Sequence, residues 1–144
     1  MPQIPVRIIK LDPSISTPIY AHIGDAGFDL ASSERKMIYP DCTALVCTGL
    51  IFEIPLGYEI QIRSRSGMAL KGITVANSPG TIDSGFRGEV KVMIRNDSGD
   101  AMRIEKGDRI AQGVLAVALQ ADFVVVESLS ESKRGNNGFG SSGV

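Results

Sequence analysis

The stretch Asn77-Ser-Pro-Gly80-Thr81-Ile82-Asp83-Ser-Gly-Phe86-Arg-Gly-Glu-Val-Lys91 sets one carboxylate, Asp83, between bare backbone at Gly80 and an aromatic ring at Phe86. That grouping suits a planar ligand held against main chain, with an acid at the mouth of the slot. A surface hairpin with an ordinary turn aspartate has the same local pattern. A second stretch, Arg63-Ser-Arg65-Ser66-Gly67, ends a strand ahead of a helix start. Guanidinium groups, outward backbone N–H groups and the Ser66 hydroxyl would form a phosphate site, and a capped surface helix is the alternative. Gln112 falls in a mostly apolar run, either as a satisfied core amide or as a group that positions a ligand or water. Asp29, in Asp25-Ala-Gly-Phe-Asp29-Leu, reads as a capping carboxylate or a site acid. In the tail Lys133-Arg134-Gly-Asn-Asn-Gly-Phe139-Gly140-Ser141-Ser-Gly143, glycine backbone, hydroxyls and an arginine can wrap phosphate oxygens, and Phe139 can lie on a base. A disordered tail shares that composition. Together the segments supply a base slot, an aromatic lid, two anion sites and an acid to activate water, an inventory that fits hydrolysis of a nucleotide polyphosphate. There is no Walker A run, and His22, the single histidine, reads as solvated in a glycine-rich turn.

These groups need a scaffold of short strands. Val6 to Leu11 reads as a first strand stopped by Asp12-Pro13-Ser14, and Pro18 to Ala21 as a short extended piece. Gly24 and Gly27 permit positive φ in the connection that follows. Lys36 to Pro40, Thr43 to Pro55 (one bent strand or two), and Tyr58 to Arg63 continue the pattern. Ser66 to Gly72 predicts a helix of about two turns, with Ser66 as N-cap and Gly72 as stop. The chain around Phe86 predicts a β-hairpin with Thr81 opposite Lys91. Met102 to Glu105 and Arg109 to Leu119 follow as strands, Phe123 to Val126 adding to the strand signal. Strand signals about every 8 to 12 residues predict an all-β sandwich or barrel with one short helix. Beyond Leu129 the composition turns to Ser, Gly, Asn, Lys and Arg. Residues 1–129 therefore read as one β domain and 130–144 as a flexible C-terminal arm.

Composition bounds the partners. A chain of 144 residues buries about two thirds of its unfolded surface, so neither disulfides nor metals are needed for folding. Net charge is -1 with no Lys/Arg block, which argues against a nucleic-acid polymer or an anionic membrane as partner. Neither a spanning segment nor a signal peptide is expected. Cys42 and Cys47 read as buried apolar residues on opposite faces of one strand, in a reducing cytoplasmic setting.

In this order and at these spacings, Ala-Gly-Phe-Asp-Leu, Arg-Ser-Gly-Met-Ala, Gly-Thr-Ile-Asp-Ser-Gly-Phe-Arg-Gly-Glu-Val, Gly-Asp-Arg-Ile-Ala-Gln and Arg-Gly-Asn-Asn-Gly-Phe-Gly-Ser-Ser-Gly resemble the five motifs of the trimeric deoxyuridine triphosphate nucleotidohydrolases (dUTPases), from about Ile23 to Gly143. The resemblance implies a jelly-roll fold, a homotrimer with active sites at subunit interfaces, and conversion of dUTP and water to dUMP and pyrophosphate. By matching position it makes Asp83 the general base toward the α-phosphorus and Gln112 the amide that helps hold the water or adjacent phosphate. Arg65, Ser66 and Gly67 correspond to binders of the middle phosphates, and Arg134, Gly140 and Ser141 to those of the terminal one. Asn77 corresponds to the uracil-reading amide, with Gly80, Thr81, Ile82 and Lys91 completing the slot, Phe86 against the sugar and Phe139 over the base. Asp29 resembles a carboxylate that supports the metal-phosphate end through water. Mg²⁺ is implied as a passenger of the triphosphate, with no direct protein ligand.

Three residues depart from the family pattern: Phe86 stands for a usual tyrosine, Asn137 for a glycine and Ser142 for a threonine. The loss of a hydroxyl at position 86 bears on sugar discrimination. A dCTP deaminase of the same fold would carry a glutamate where Met93 stands, which argues against deamination. A nucleotide-sensing module that uses the arm to engage a partner protein is a reading of a different class.

Overall fold

Short runs of alternating apolar and polar residues, cut by Gly, Pro and Asp turns, give eleven strands and one helix among residues 1–143, which the computed structural model describes. In chain order they are β1 (Arg7–Lys10), β2 (Gly27–Ala31), β3 (Lys36–Ile38), β4 (Thr43–Cys47), β5 (Leu50–Glu53), β6 (Tyr58–Arg63), α1 (Ser66–Ala69), β7 (Ile73–Val75), β8 (Gly80–Ile82), β9 (Lys91–Asn96), β10 (Met102–Ile104) and β11 (Arg109–Val117). All ladders are antiparallel. A four-stranded sheet of order β2-β11-β6-β8 and a three-stranded sheet of order β4-β9-β7 share one core, with two further pairs, β1-β5 and β10-β3. The result is an all-β jelly roll. Inward positions of both sheets, among them Leu30, Val46, Ile60, Ile94 and Ile110, form one buried core. This burial holds the layers together, each fully buried aliphatic side chain contributing about 1.5–3 kcal/mol relative to exposure.

One buried amide pins a corner. Asn96 ends β9 fully buried and donates through Nδ2 to the Ile38 and Asp100 carbonyls, both at 2.9 Å. Its Oδ1 accepts from Ser98 N and Ser98 Oγ, so the group is satisfied on both sides and fixes the β9–β10 turn against β3.

Several expectations need correction. The predicted hairpin around Phe86 does not pair its own arms. Thr81 lies opposite Gln61 of β6, and Lys91 opposite Cys47 of β4, so β8 and β9 belong to different sheets. The long connection from Asp83 to Val90 permits this, and the two arms pair with β6 and β4 instead. The helix spans only Ser66–Ala69, with Arg65 as N-cap and no side-chain cap bond; Ser66 is its first residue. Gly72 does stop that segment, at φ +82. Pro18 to Ala21 and Phe123 to Val126 form no strand. Gly24 has positive φ, whereas Gly27 is extended within β2. Cys42 is exposed in the turn before β4, and Cys47 is only partly buried at the strand's end. No helix among the described residues is long and apolar enough to cross a membrane.

Candidate functional site

The splay of β8 from β9 makes a cleft. A space of about 340 Å³ opens between the two strands, lined by Asn77, Gly80, Thr81, Ile82, Asp83, Phe86 and Lys91, with Met93 and Leu45 on the far wall. β7 reaches β9 only from Ile94 onward, apart from the Ala76 N–H that donates to the Met93 carbonyl. The edge of β9 at Lys91 and Val92 is therefore left to face the cleft, as is the edge of β8 turned away from β6. Asn77 folds over Gly80, where a Cβ would stand 3.2 Å from its Nδ2. Asp83 is exposed at the opening, and the half-exposed Phe86 ring lies against Gly88. Backbone edges, an amide and an aromatic face can read a flat heterocycle here, with a carboxylate within its reach.

A second, more polar hollow of about 530 Å³ lies at the start of α1, lined by Asp29, Arg65, Ser66, Gly67, Met68, Lys71 and Gln112. Asp29 organises it. Its Oδ1 is 3.0 Å from Arg65 Nε and its Oδ2 is 3.3 Å from Arg109 Nη1, while Arg65 Nη1 donates to the Arg109 carbonyl at 3.2 Å. The guanidinium of Arg65 is thereby oriented on two sides, the arrangement needed for directional contact with phosphate oxygens. Arg63 is not part of this cluster: it points along β6 and donates to Gln61 Oε1 at 2.7 Å. Gln112 is partly buried and donates from Nε2 to the Ser64 carbonyl at 3.0 Å.

Arg109 is a site residue that the sequence pattern hides. Arg109 and Gln112 are three apart and would point to opposite faces of a regular strand. A register shift between Arg109 and Ala111 sets Arg109 opposite Ala31 and Gln112 opposite Asp29. Ala31 and Asp29 share one face of β2, so the bulge brings both side chains to the same side. Two successive apolar residues, Ile110 and Ala111, are the sign of that bulge in the sequence. Lys71, two residues past the end of α1, also lines the hollow.

The two hollows share no lining residue. Asp29, Arg65, Ser66, Gly67 and Gln112 come together in one, and Asn77, Gly80, Thr81, Ile82, Asp83, Phe86 and Lys91 in the other. The arm joins neither by hydrogen bonds. Among the described residues its bonds are internal, including Arg134 Nε to the Asn137 carbonyl at 2.9 Å and Ser141 N to the Gly138 carbonyl at 3.1 Å. Phe139 is fully exposed at φ 52, followed by Gly140 at φ 87. Upstream, Leu119, Phe123, Val124, Val125 and Leu129 are all exposed. Burial pushes the Cys47 thiol up, and the neighbouring Glu89 adds to this.

Comparison with known proteins bears on this pair of sites. The family model described as dUTPase matches residues 14–143. The deoxyuridine 5'-triphosphate nucleotidohydrolase of Nautilia profundicola is 52% identical over 139 residues, covering 96% of this chain and 98% of that protein. The enzyme of the same name from Wolinella succinogenes is 51% identical over 139 residues, covering 96% and 93%. Among solved structures, the dUTPase of Staphylococcus bacteriophage 80alpha with dUPNHPP superposes with a TM-score of 0.90 at 31% identity, over 97% of this chain and 99% of that one.

Proposed function

The chain belongs to the dUTPase family, and from that premise we propose that it cleaves its substrate by attack of an Asp83-activated water on the α-phosphorus, in a site assembled from three copies of the chain. The overall reaction is that of a dUTP diphosphatase, hydrolysis of dUTP to dUMP. It removes dUTP from the nucleotide pool and leaves dUMP as a precursor of thymidylate.

The observation that carries the mechanistic reading is the carboxylate of Asp83 at the opening of a base-sized cleft. With uracil against the β8 and β9 edges and the Asn77 amide, the 5′-phosphates leave the cleft on the Asp83 side. Asp83 takes a proton from water as the water oxygen bonds to the α-phosphorus. The bond from that phosphorus to the α–β bridging oxygen breaks, and pyrophosphate departs. A narrow cleft excludes the thymine 5-methyl, and the Phe86 ring against the sugar excludes a 2′-hydroxyl; both are discriminations by shape.

The substrate carries about four negative charges, so a carboxylate base needs cations opposite it. Arg65, with Ser66 and Gly67, takes the middle phosphates; Arg134, Gly140 and Ser141 of the arm take the terminal one, and Phe139 covers the base. The separation of the Asp83 cleft from the Arg65 hollow supports a composite site, one copy giving the base cleft, another the phosphate hollow and a third the arm. The exposed apolar run from Leu119 to Leu129 supports the same homotrimer, since association would bury it.

Magnesium fits as a passenger of the triphosphate. The carboxylate nearest the phosphates, Asp29, has both oxygens engaged by Arg65 and Arg109, which suits contact with the ion through water rather than direct ligation. When bound, the ion would neutralise part of the phosphate charge. A cytoplasmic setting accords with the free thiols of Cys42 and Cys47.

The test is release of pyrophosphate from dUTP set beside dCTP, dTTP and UTP. Turnover of dUTP at least about 10²-fold above each of the others in kcat/KM is expected. Release of ammonia from dCTP would instead favour the deaminase, and tight dUTP binding without turnover the sensing module.

A further inference from the structure

Gly27 has no torsional reason to be glycine. It lies in extended backbone within β2, without positive φ, where any residue fits. The reason is space. A Cβ at Gly27 would stand 2.5 Å from Gln112 Oε1 and 3.4 Å from Gln112 Cδ. The register agrees: Gly27 opposes Val114 and Asp29 opposes Gln112, so Gly27, Asp29, Gln112 and Val114 share one face of the β2–β11 ladder.

The other end of the amide is fixed as well. The Ser64 carbonyl can only accept, so the NH₂ of Gln112 faces it and Oε1 must lie on the Gly27 side. No donor among the described residues reaches Oε1, yet it is not a buried orphan, so solvent has access to it. An acceptor held open to solvent beside the phosphate hollow can take a hydrogen bond from water and aim that water's lone pair away from itself.

We propose that Gly27 is a positioning residue whose missing side chain is the seat of the Gln112 carbonyl oxygen. The proposal rests on the reading of Gln112 as the amide that holds water or phosphate. Gly113, directly after Gln112, provides the contrast. A Cβ there would run into the ring of Phe28, a buried core residue. One glycine then serves placement of the amide and its neighbour serves packing.

The experiment is a double-variant cycle on the full chain, read by pyrophosphate release from dUTP and by thermal melting. Gly27→Ala displaces only the far end of a flexible side chain. Its kcat should fall about 10²-fold with KM within about threefold, and Tm should stay within about 4 °C of the parent. Added to Gln112→Ala, the same change should alter kcat by less than about twofold, because the shortened side chain leaves room for the methyl. Gly113→Ala should do the reverse, lowering Tm while keeping kcat. Wild-type kcat in Gly27→Ala, or losses that multiply in the double variant, would overturn the proposal. So would a double variant that fails to fold. A parent chain without dUTP turnover would refute the dUTPase reading itself, a separate outcome visible before any variant is compared.

Discussion

Asp83→Asn is expected to lower kcat for dUTP by about 10²–10⁴-fold, the usual contribution of a positioned general base. Affinity for a nonhydrolysable imido analogue should stay within about tenfold of the parent. The amide matches the carboxylate in shape, so the cleft lined by Asn77, Gly80, Ile82 and Phe86 keeps its walls. What it loses is the capacity to accept water's proton. Asp83 is exposed beyond the end of β8 and takes no part in the core, so folding is indifferent to the change. Parallel losses of kcat and binding would make Asp83 a binding residue; undiminished turnover would remove it from the chemistry.

Deleting the chain from Lys133 onward should leave the fold and the assembly intact while reducing kcat/KM by about 10²-fold or more, the scale of losing aligned donors to developing phosphate charge. Hydrogen bonds of the described arm residues run within the arm, so the jelly roll loses none of its ties. In the proposed site the deletion would take Arg134 and Ser141 from the phosphates and Phe139 from the base, and would open the site to water. Phe139→Ala should be milder, because the cationic and hydroxyl donors remain. Circular dichroism and sedimentation check the fold and assembly, and pyrophosphate release checks the rest. Unchanged turnover in the truncated chain would discredit the arm as a lid.

Much of this site is legible before folding, because local rules specify its parts. Glycine and proline mark the breaks at Ser78-Pro79 and Gly72, period-2 alternation marks β6 and β9, and valine-rich composition marks β11. The grouping of Asp29, Arg65, Ser66, Gly67 and Gln112 in one hollow follows the segments read from the sequence. The misses are long-range. A hairpin was the local reading around Phe86, but strand pairing is a competition among distant partners, and β6 and β4 win β8 and β9. That same outcome opens the cleft, so the error and the functional feature have one cause. Arg109 was missed because a bulge in β11 resets the alternation on which face assignments depend. The strand-like run around Cys42 suggests a buried position, yet Cys42 sits in the turn before β4, where apolar character decides little.

Hydrolysis of dUTP in ¹⁸O-labelled water, with the products separated and weighed by mass spectrometry, tests the reaction's direction of attack most directly. Nucleophilic water at the α-phosphorus predicts one ¹⁸O in the phosphate of dUMP and none in pyrophosphate. Label in pyrophosphate with unlabelled dUMP would place the attack on the β-phosphorus and contradict the role given to Asp83.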